Sequence, residues 1–454
     1  MTTVPMTHPE RLAYIETFGC QMNERDSEIM GQLLAGRAYG QTSDLASADV
    51  VVVNTCSIRG KAEQKAYSLL GRLRRLKKNK PSLVVAVTGC VAQQEGQKLI
   101  DRMPYVDLVV GPQHIYRLPE LVAEAAAGRR VAVAQSDTFV IPPFLPDIES
   151  GSTYKRFVTI MQGCNNFCTY CVVPFTRGRE ISRDFADILA EVTHLAENGI
   201  REVTLIGQNV NSYGLDHPRE SRKTFPELLR AVSAVEGLSR IRFTTSNPKD
   251  LSEELMACFA ELPKLCSHFH LPVQSGANPV LKRMNRRYTI ETYLDKVAGL
   301  RKARPEVALT TDIIVGFPGE TEADFAATME LIETVRYHSA FSFKYSDRPH
   351  ARSSGFPDKV AEEEKSARLA LLQKRLQEIT EERNREYEGA VLEVMVESDA
   401  ANRDGQWAGR SSSNHVVNFT GQGVYAPGQL VTVHIDTACA HSLRGRLVDE
   451  YVVR

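Results

Sequence analysis

Gly163-Cys164-Asn165-Asn166-Phe167-Cys168-Thr169-Tyr170-Cys171 carries three thiols at a C-x3-C-x2-C spacing, just after the apolar run Phe157-Val158-Thr159-Ile160-Met161. Three soft ligands on one loop suit an iron–sulfur cluster, and a [4Fe–4S] cluster normally takes four Cys thiolates. No fourth Cys lies in the loop, so one iron is expected to stay open to an outside ligand, which makes the loop a place for chemistry as well as for electron transfer. A structural zinc loop would pair C-x2-4-C with a second, distant pair, and nothing like that pair follows.

Working outward toward the C-terminus, apolar strand-like runs recur at 202–207, 240–245, 268–273, 308–316 and 340–345, with helical patterns between them, as at 188–196 and 325–335. Together with 157–161 they make six strands, two short of an eight-fold βα barrel. Gly207-Gln208-Asn209, Ser246-Asn247-Pro248, Gln274-Ser275-Gly276 and Gly316-Phe317-Pro318-Gly319-Glu320 follow these strands, at the end where barrel active sites lie. His268 and His270, two apart on one strand, face the same side, and the expectation is satisfied polar side chains rather than a metal pair. Cys258, Cys266 and Cys439 lack cluster spacing and read as structural.

The C-x3-C-x2-C loop with an aromatic before its last Cys resembles the signature of radical SAM enzymes. That resemblance implies a partial (βα)6 barrel and a [4Fe–4S] cluster on Cys164, Cys168 and Cys171 whose open iron is chelated by S-adenosylmethionine (SAM), cleaved on reduction to a 5′-deoxyadenosyl radical. It further implies that Tyr170 contacts the SAM adenine through its backbone and that Gln208 and Asp312 lie near the SAM methionine or ribose. Tyr345-Ser346-Asp347-Arg348-Pro349 resembles the segment that closes the barrel, although His350-Ala351 stand where the family has Gly-Thr.

Upstream, three runs share one layout, ending in Gly19-Cys20, Thr55-Cys56 and Gly89-Cys90. The second and third are nearly continuous in apolar, mostly β-branched residues, as strands buried on both faces of a parallel sheet are. Helix-like stretches at 27–34 and 61–78 and a fourth strand at 106–112 complete a doubly wound α/β pattern, in which ligands collect beyond the carboxyl ends of the strands. One buried Cys would need no explanation; three at corresponding strand ends point to a second three-thiolate site. Gly19-Cys20-Gln21-Met22-Asn23, Asn54-Thr55-Cys56-Ser57-Ile58-Arg59 and Thr88-Gly89-Cys90-Val91-Ala92-Gln93 resemble the methylthiotransferase family, in its tRNA-modifying MiaB branch. The resemblance implies an auxiliary [4Fe–4S] cluster on Cys20, Cys56 and Cys90.

The chain has 454 residues, net charge −1 and nine Cys. Its length calls for several domains, and its balanced charge names no partner. Neither a signal peptide nor an apolar run of membrane-spanning length is read, so a cytoplasmic protein without a membrane partner is expected, its clustered thiols binding metal rather than pairing as disulfides. Pro, Gly and Ser break all periodicity at 141–155. Leu369, Leu372, Leu376 and Ile379 mark a long amphipathic helix, and beyond Gly389 five short strands with Gly-rich turns argue a small barrel. Asn414-His415-Val416-Val417-Asn418-Phe419 and Ser442-Leu443-Arg444-Gly445 resemble the TRAM domain, an RNA-binding module. The expected organisation is an N-terminal domain over 1–140, a linker over 141–155, the partial barrel over 156–357, a helical connector over 358–387 and the TRAM-like domain over 388–454.

From 388 to 454 eight acidic residues face five Arg or Lys, the wrong bulk sign for a phosphate-binding domain, which leaves Arg410, Arg444 and Arg446 as a basic face with Trp407 or Phe419 for stacking. Arg72, Arg74, Arg75, Lys77, Lys78 and Lys80 form the densest basic run, either a solvated helix face or a phosphate-contacting patch.

Taken together, the resemblance implies a methylthio group installed at C2 of N6-isopentenyl-adenosine 37 in a tRNA anticodon stem-loop. An electron donor such as a flavodoxin and a sulfur donor are expected partners, and the chain is expected to act as a monomer. The other readings are a sister methylthiotransferase acting on N6-threonylcarbamoyl-adenosine in tRNA or on a ribosomal protein, a two-cluster electron carrier, and a zinc-dependent RNA-binding module.

Overall fold

The computed structural model describes residues 11–57, 60–133, 139–144, 146, 153–398 and 405–448. Two compact units divide the chain: Met1–Gly151, Thr159–Asn165 and Cys171–Asp187 in the first, and Ser152–Val158, Asn166–Tyr170 and Ile188–Arg454 in the second.

In the first unit, β1 (Arg11–Phe18), β2 (Tyr39–Gln41), β3 (Val50–Thr55), β4 (Val84–Gly89), β5 (Leu108–Val110) and β6 (Val131–Val133) form one sheet in the order β2-β1-β3-β4-β5-β6, parallel throughout. Every residue of β3 and β4 is buried. Alternate side chains point to opposite faces, so Val50, Val52, Val84 and Ala86 join one core with Met30, Leu34 and Leu121, while Val51, Val53, Val85 and Val87 join another with Leu69, Leu70 and Leu73. β2 and β6, three residues each, escape the sequence reading because so short a run carries no period. The first helix begins at Gln21 rather than at 27 and runs to Ala35. Strand order reverses between β1 and β3, the switch point at which such folds gather ligands.

β7 (Lys155–Thr159) leads into β8 (Met161–Gln162), which pairs antiparallel with β9 (Ile181–Ser182) in the first unit. β10 (Glu202–Ile206), β11 (Arg240–Phe243), β12 (His268–His270), β13 (Ala308–Val315) and β14 (Ser339–Lys344) follow in the second. They form the sheets β11-β10-β7 and β12-β13-β14, joined by a parallel bridge between Ile241 and Leu265. These are the six strands expected of an open barrel.

Helix Glu362–Arg385 buries Leu372, Leu376 and Ile379. Beyond it, β15 (Val391–Val396), β16 (Gln406–Ser411), β17 (Val416–Thr420), β18 (Leu430–Ala438) and β19 (Leu443–Leu447) close into a barrel in the order β15-β16-β17-β19-β18. Its core holds Val394, Val417, Val433, Leu443, Trp407 and Phe419. The last two are 6% and 0% exposed, so neither is available for stacking on RNA. In a small barrel the inward positions must be filled by side chains, and the aromatics are spent there.

This barrel packs on the starts of the βα strands. Buried Arg240 donates to the Arg410 carbonyl at 2.6 Å and the Glu393 carbonyl at 2.9 Å, and Arg242 to the Ser411 carbonyl at 2.8 Å. Arg410 itself is occupied by Glu397 at 3.3 Å, while Arg444 and Arg446, paired across β17 at Asn418 and Thr420, are exposed. Among the described residues no helix is long and apolar enough to cross a membrane.

Candidate functional site

Cys20, Cys56 and Cys90 follow the ends of β1, β3 and β4, three adjacent strands. Cys20 caps helix Gln21–Ala35: its thiol donates to Asn23 Oδ1 at 3.3 Å, and a helix N-terminus favours the thiolate. Asn23, fully buried, donates to Asn54 Oδ1 at 2.9 Å and to the Thr55 carbonyl at 3.2 Å, while Asn54 donates back to the Asn23 carbonyl at 2.8 Å. This network fixes the Cys20 turn against the strand end that carries Cys56. Thr55 Oγ1 donates to the Thr88 carbonyl at 2.7 Å, tying that strand end to the one before Cys90. Between them Gly89 takes φ +89°, and a Cβ there would lie 2.3 Å from the Thr55 carbonyl, so the turn into Cys90 admits glycine only.

The thiols interact. Hydrogen bonding from Cys56 pulls the Cys20 thiol well below its usual value, with the Arg177 charge adding to this against the effect of burial. Burial pushes Cys90 up, opposed by Arg177. Arg177 is itself buried and donates to the buried carboxylate of Asp26 at 2.7 Å.

In the Cys164–Cys171 loop, Gly163 takes φ +79° and a Cβ on it would meet the Arg179 carbonyl at 1.9 Å; the Cys164 N–H donates to the Gly178 carbonyl at 3.2 Å. In the second unit, the middle of the loop is clamped by residues 283–286. The Thr169 N–H donates to the Met284 carbonyl at 3.0 Å, Asn285 donates to the Asn166 and Phe167 carbonyls at 3.1 and 3.0 Å, and buried Arg286 donates to Cys168 Sγ at 3.5 Å. Tyr170 packs on the cluster of Met284, Phe317 and Tyr345.

At the carboxyl ends of the barrel strands, Thr245 and Gln274 hold φ +68° and +74°, a region β-branched Thr enters only under constraint. Asn209 Oδ1 and Ser246 Oγ are buried without partners. Asp312 lies on β13 with its carboxylate 3.4 Å from His270 Nε2. His268 and His270 share Thr310 Oγ1 at 3.2 and 3.0 Å, the satisfied polar pair that was expected. Among the described residues no three His, Cys, Asp or Glu converge on one ion position; a cluster engages each thiolate at a different iron and has no need of such a point.

Three family models match in succession: Uncharacterized protein family UPF0004 over residues 12–111, the Radical SAM superfamily over 158–332 and the TRAM domain over 385–448. A curated tRNA-2-methylthio-N(6)-dimethylallyladenosine synthase from Desulfotalea psychrophila is 54% identical over 97% of this chain and 100% of its own length. The chain belongs to the MiaB-type methylthiotransferase family. A synthase of the same name from Geobacter metallireducens is 52% identical over 96% of this chain and 98% of its own. The radical S-adenosylmethionine methyltransferase TsrM from Kitasatospora setae matches in fold, with TM-score 0.57 and 15% identity over 76% of this chain and 75% of that one. Membership in the family means a radical SAM enzyme with SAM and a [4Fe–4S] cluster.

Sequence reasoning missed Arg177, Asp26 and Arg286, charged groups that act on Cys20, Cys90 and Cys168. Arg177 and Asp26 stand 151 residues apart, and no periodicity or spacing joins them. Of the basic run, Lys77 is held by Asp107 at 2.7 Å and Lys80 by Asp49 at 2.7 Å, carboxylates just before β5 and β3, while Arg72, Arg74, Arg75 and Lys78 are exposed.

Proposed function

We propose that this chain places a methylthio group on C2 of N6-dimethylallyl- (isopentenyl-) adenosine 37 in tRNA, using two [4Fe–4S] clusters, one on Cys164, Cys168 and Cys171 and an auxiliary one on Cys20, Cys56 and Cys90. The observation that carries the reading is that the three N-terminal thiols each follow the carboxyl end of one of three adjacent strands. Four buried polar atoms beside them lack hydrogen-bond partners: Ser57 Oγ, Thr88 Oγ1, Gln93 Oε1 and Arg177 Nη1. Buried polar groups are almost always paired, so the donor set and these orphans fit a polar, sulfur-liganded group.

The C2–H bond of adenine is not acidic enough for side-chain acid–base chemistry; the cofactors supply the radical, the methyl group and the iron that carries the sulfur. The chain's own part is placement. The Asn23–Asn54 network and Gly89 hold the auxiliary thiols, residues 283–286 hold the Cys164–Cys171 loop, and Tyr170, Gln208 and Asp312 are the candidate SAM contacts. Asp312, steadied by His270, offers carboxylate oxygens suited to ribose hydroxyls.

The tRNA anticodon stem-loop must present adenosine 37 unstacked, since an aromatic edge inside a stack is out of reach. An electron donor of the flavodoxin kind, a sulfur donor, a cytoplasmic setting and a monomeric state complete the proposal. The organisation proposed with it is domains at 1–140, 156–357 and 388–454, with a linker at 141–155 and a connector at 358–387. Nucleoside mass spectrometry of tRNA from a strain lacking the gene tests the reading. Loss of 2-methylthio-isopentenyladenosine with accumulation of isopentenyladenosine is expected; retention of the methylthio nucleoside in a strain without a paralogue refutes it.

A further inference from the structure

A guanidinium buried among thiols needs a reason. Removing an ion pair from water costs several kcal/mol per ion, yet Arg177 and Asp26 are 3% and 5% exposed. Asp26 answers only one end of the guanidinium, accepting from Nη2. Nη1 is buried and meets no acceptor at full hydrogen-bond geometry; the Cys90 thiol lies near enough for a loose hydrogen bond from the guanidinium, and Cys90 and Cys20 are both within its electrostatic reach. Neutral thiols would ask for no such charge; thiolates with a bound cluster would. The chain uses the same device at its other thiol loop, where buried Arg286 donates to Cys168 Sγ at 3.5 Å. Arg177 is moreover carried six residues beyond Cys171, on the segment that leaves the radical SAM loop.

We infer that Arg177, oriented by Asp26, is the positioning residue of the auxiliary site, its Nη1–H donating to the Cys90 sulfur or to a sulfide of the cluster and thereby setting the reduction potential of the group held there. The inference rests on the reading that Cys20, Cys56 and Cys90 hold a cluster. Reduction adds negative charge, so a nearby cation and an N–H···S hydrogen bond favour the reduced state, and hydrogen bonds to sulfur and net local charge are among the main settings of cluster potentials.

The two members of the ion pair then act in opposite directions. Arg177→Met removes cation and donor and should move the auxiliary potential to a more negative value. Asp26→Asn leaves the guanidinium uncompensated and should move it to a more positive one. Arg177→Lys keeps the charge and should stay nearer the wild type than Arg177→Met.

The test uses the full-length, anaerobically reconstituted protein, with iron and sulfide counts and a redox titration followed by electron paramagnetic resonance. Added SAM marks the signal of the radical SAM cluster, which should titrate alike in all variants. Opposed shifts support the inference. Unchanged potentials, or shifts in the same direction for Arg177→Met and Asp26→Asn, overturn it, because a purely structural pair would loosen the site either way. Should Arg177→Met lose the auxiliary iron outright, Asp26→Asn decides alone: a positive shift supports the inference, and an unchanged or negative one overturns it. If the wild type takes up one cluster only, or as much iron with Cys20, Cys56 and Cys90 all changed to Ala, it is the cluster reading that fails.

Discussion

Lowering the pH should loosen the seam between the βα barrel and the C-terminal β-barrel. His338, just before β14, is 5% exposed; its ring centroid lies 5.9 Å from that of His415, which in turn lies 4.6 Å from that of Tyr387. The Leu309 N–H points at Nδ1 at 3.2 Å and Arg383 Nη2 at Nε2, also at 3.2 Å. Both neighbours are donors without an acceptor, so a neutral ring can satisfy one of them and an imidazolium neither. Burial first, then Arg383, His415, Arg301 and His268, hold His338 down to about 2; burial, Arg383 and Arg410 hold His415 down to about 4. With folded values below the ordinary one, stability is fully present above about pH 6.5 and is lost as the pH falls from there toward about 4 for His415, and further still for His338. Between about pH 7.5 and about pH 5.5 each ring costs on the order of 1 kcal/mol and the pair on the order of a few, a sizeable share of the about 5–15 kcal/mol that holds a domain folded. The single Trp of the chain, Trp407, lies in the β-barrel core with its ring 5.1 Å from that of Tyr425, and its emission reports this region in urea titrations at the two pH values. His338→Gln should remove about half of the pH-dependent loss, whatever it does to stability at neutral pH. An unchanged pH dependence in that variant would refute the reasoning.

Other consequences are as definite. Cys20→Ala should abolish methylthio transfer and leave reductive SAM cleavage measurable by product chromatography. Gly89→Ala, with φ +89° and the Thr55 carbonyl in the way, should cost about 1–3 kcal/mol of local strain and lower iron content through the auxiliary site, with the radical SAM cluster retained. Arg368, buried and donating to Glu320 at 2.8 Å, ties helix Glu362–Arg385 to the turn after β13. Arg368→Met alone should cost about 3–5 kcal/mol in thermal unfolding, since it strands a buried carboxylate, and adding Glu320→Gln should recover part of the loss. Reversing exposed Arg74 and Arg75 to Glu should weaken tRNA binding and flatten its salt dependence, by about one unit of slope per lost phosphate contact, whereas Lys80→Glu should show chiefly as lost stability.

What the sequence made legible follows from the range of the interaction involved. β3, β4, β13 and the Cys164–Cys171 loop were readable because apolar runs and ligand spacing are local properties. The placement of Cys20, Cys56 and Cys90 was readable one step further, since a doubly wound sheet brings its strand ends together without any side-chain detail. The Arg177–Asp26 pair was not, because its members come from a short turn and a helix that no pattern relates. Trp407 and Phe419 were misread for a different reason. Val417 and Phe419 alternate with Val416 and Asn418, the two-residue period of a half-buried strand, and that signal placed Phe419 inside; aromatic identity alone suggested stacking.

The arrangement of the second unit sets a requirement on the substrate. The closing contacts of the β-barrel, through Lys155, Arg240, Ser267 and His338, fall at the starts of βα strands, with Arg242 two residues further along β11, whereas Asn209, Ser246, Gln274 and Tyr170 lie beyond the strands' carboxyl ends. A strand of five or six residues is about 17–20 Å long. A ligand that touches exposed Arg444 and Arg446 while its reacting atom enters the mouth must therefore reach past the length of the barrel. A single nucleoside cannot do this, and a folded stem-loop with its neighbouring helix can. The buried guanidinia of Arg240 and Arg242 donate to main-chain carbonyls of the β-barrel, so that domain is fixed to the βα barrel as a ruler rather than tethered as a free hook.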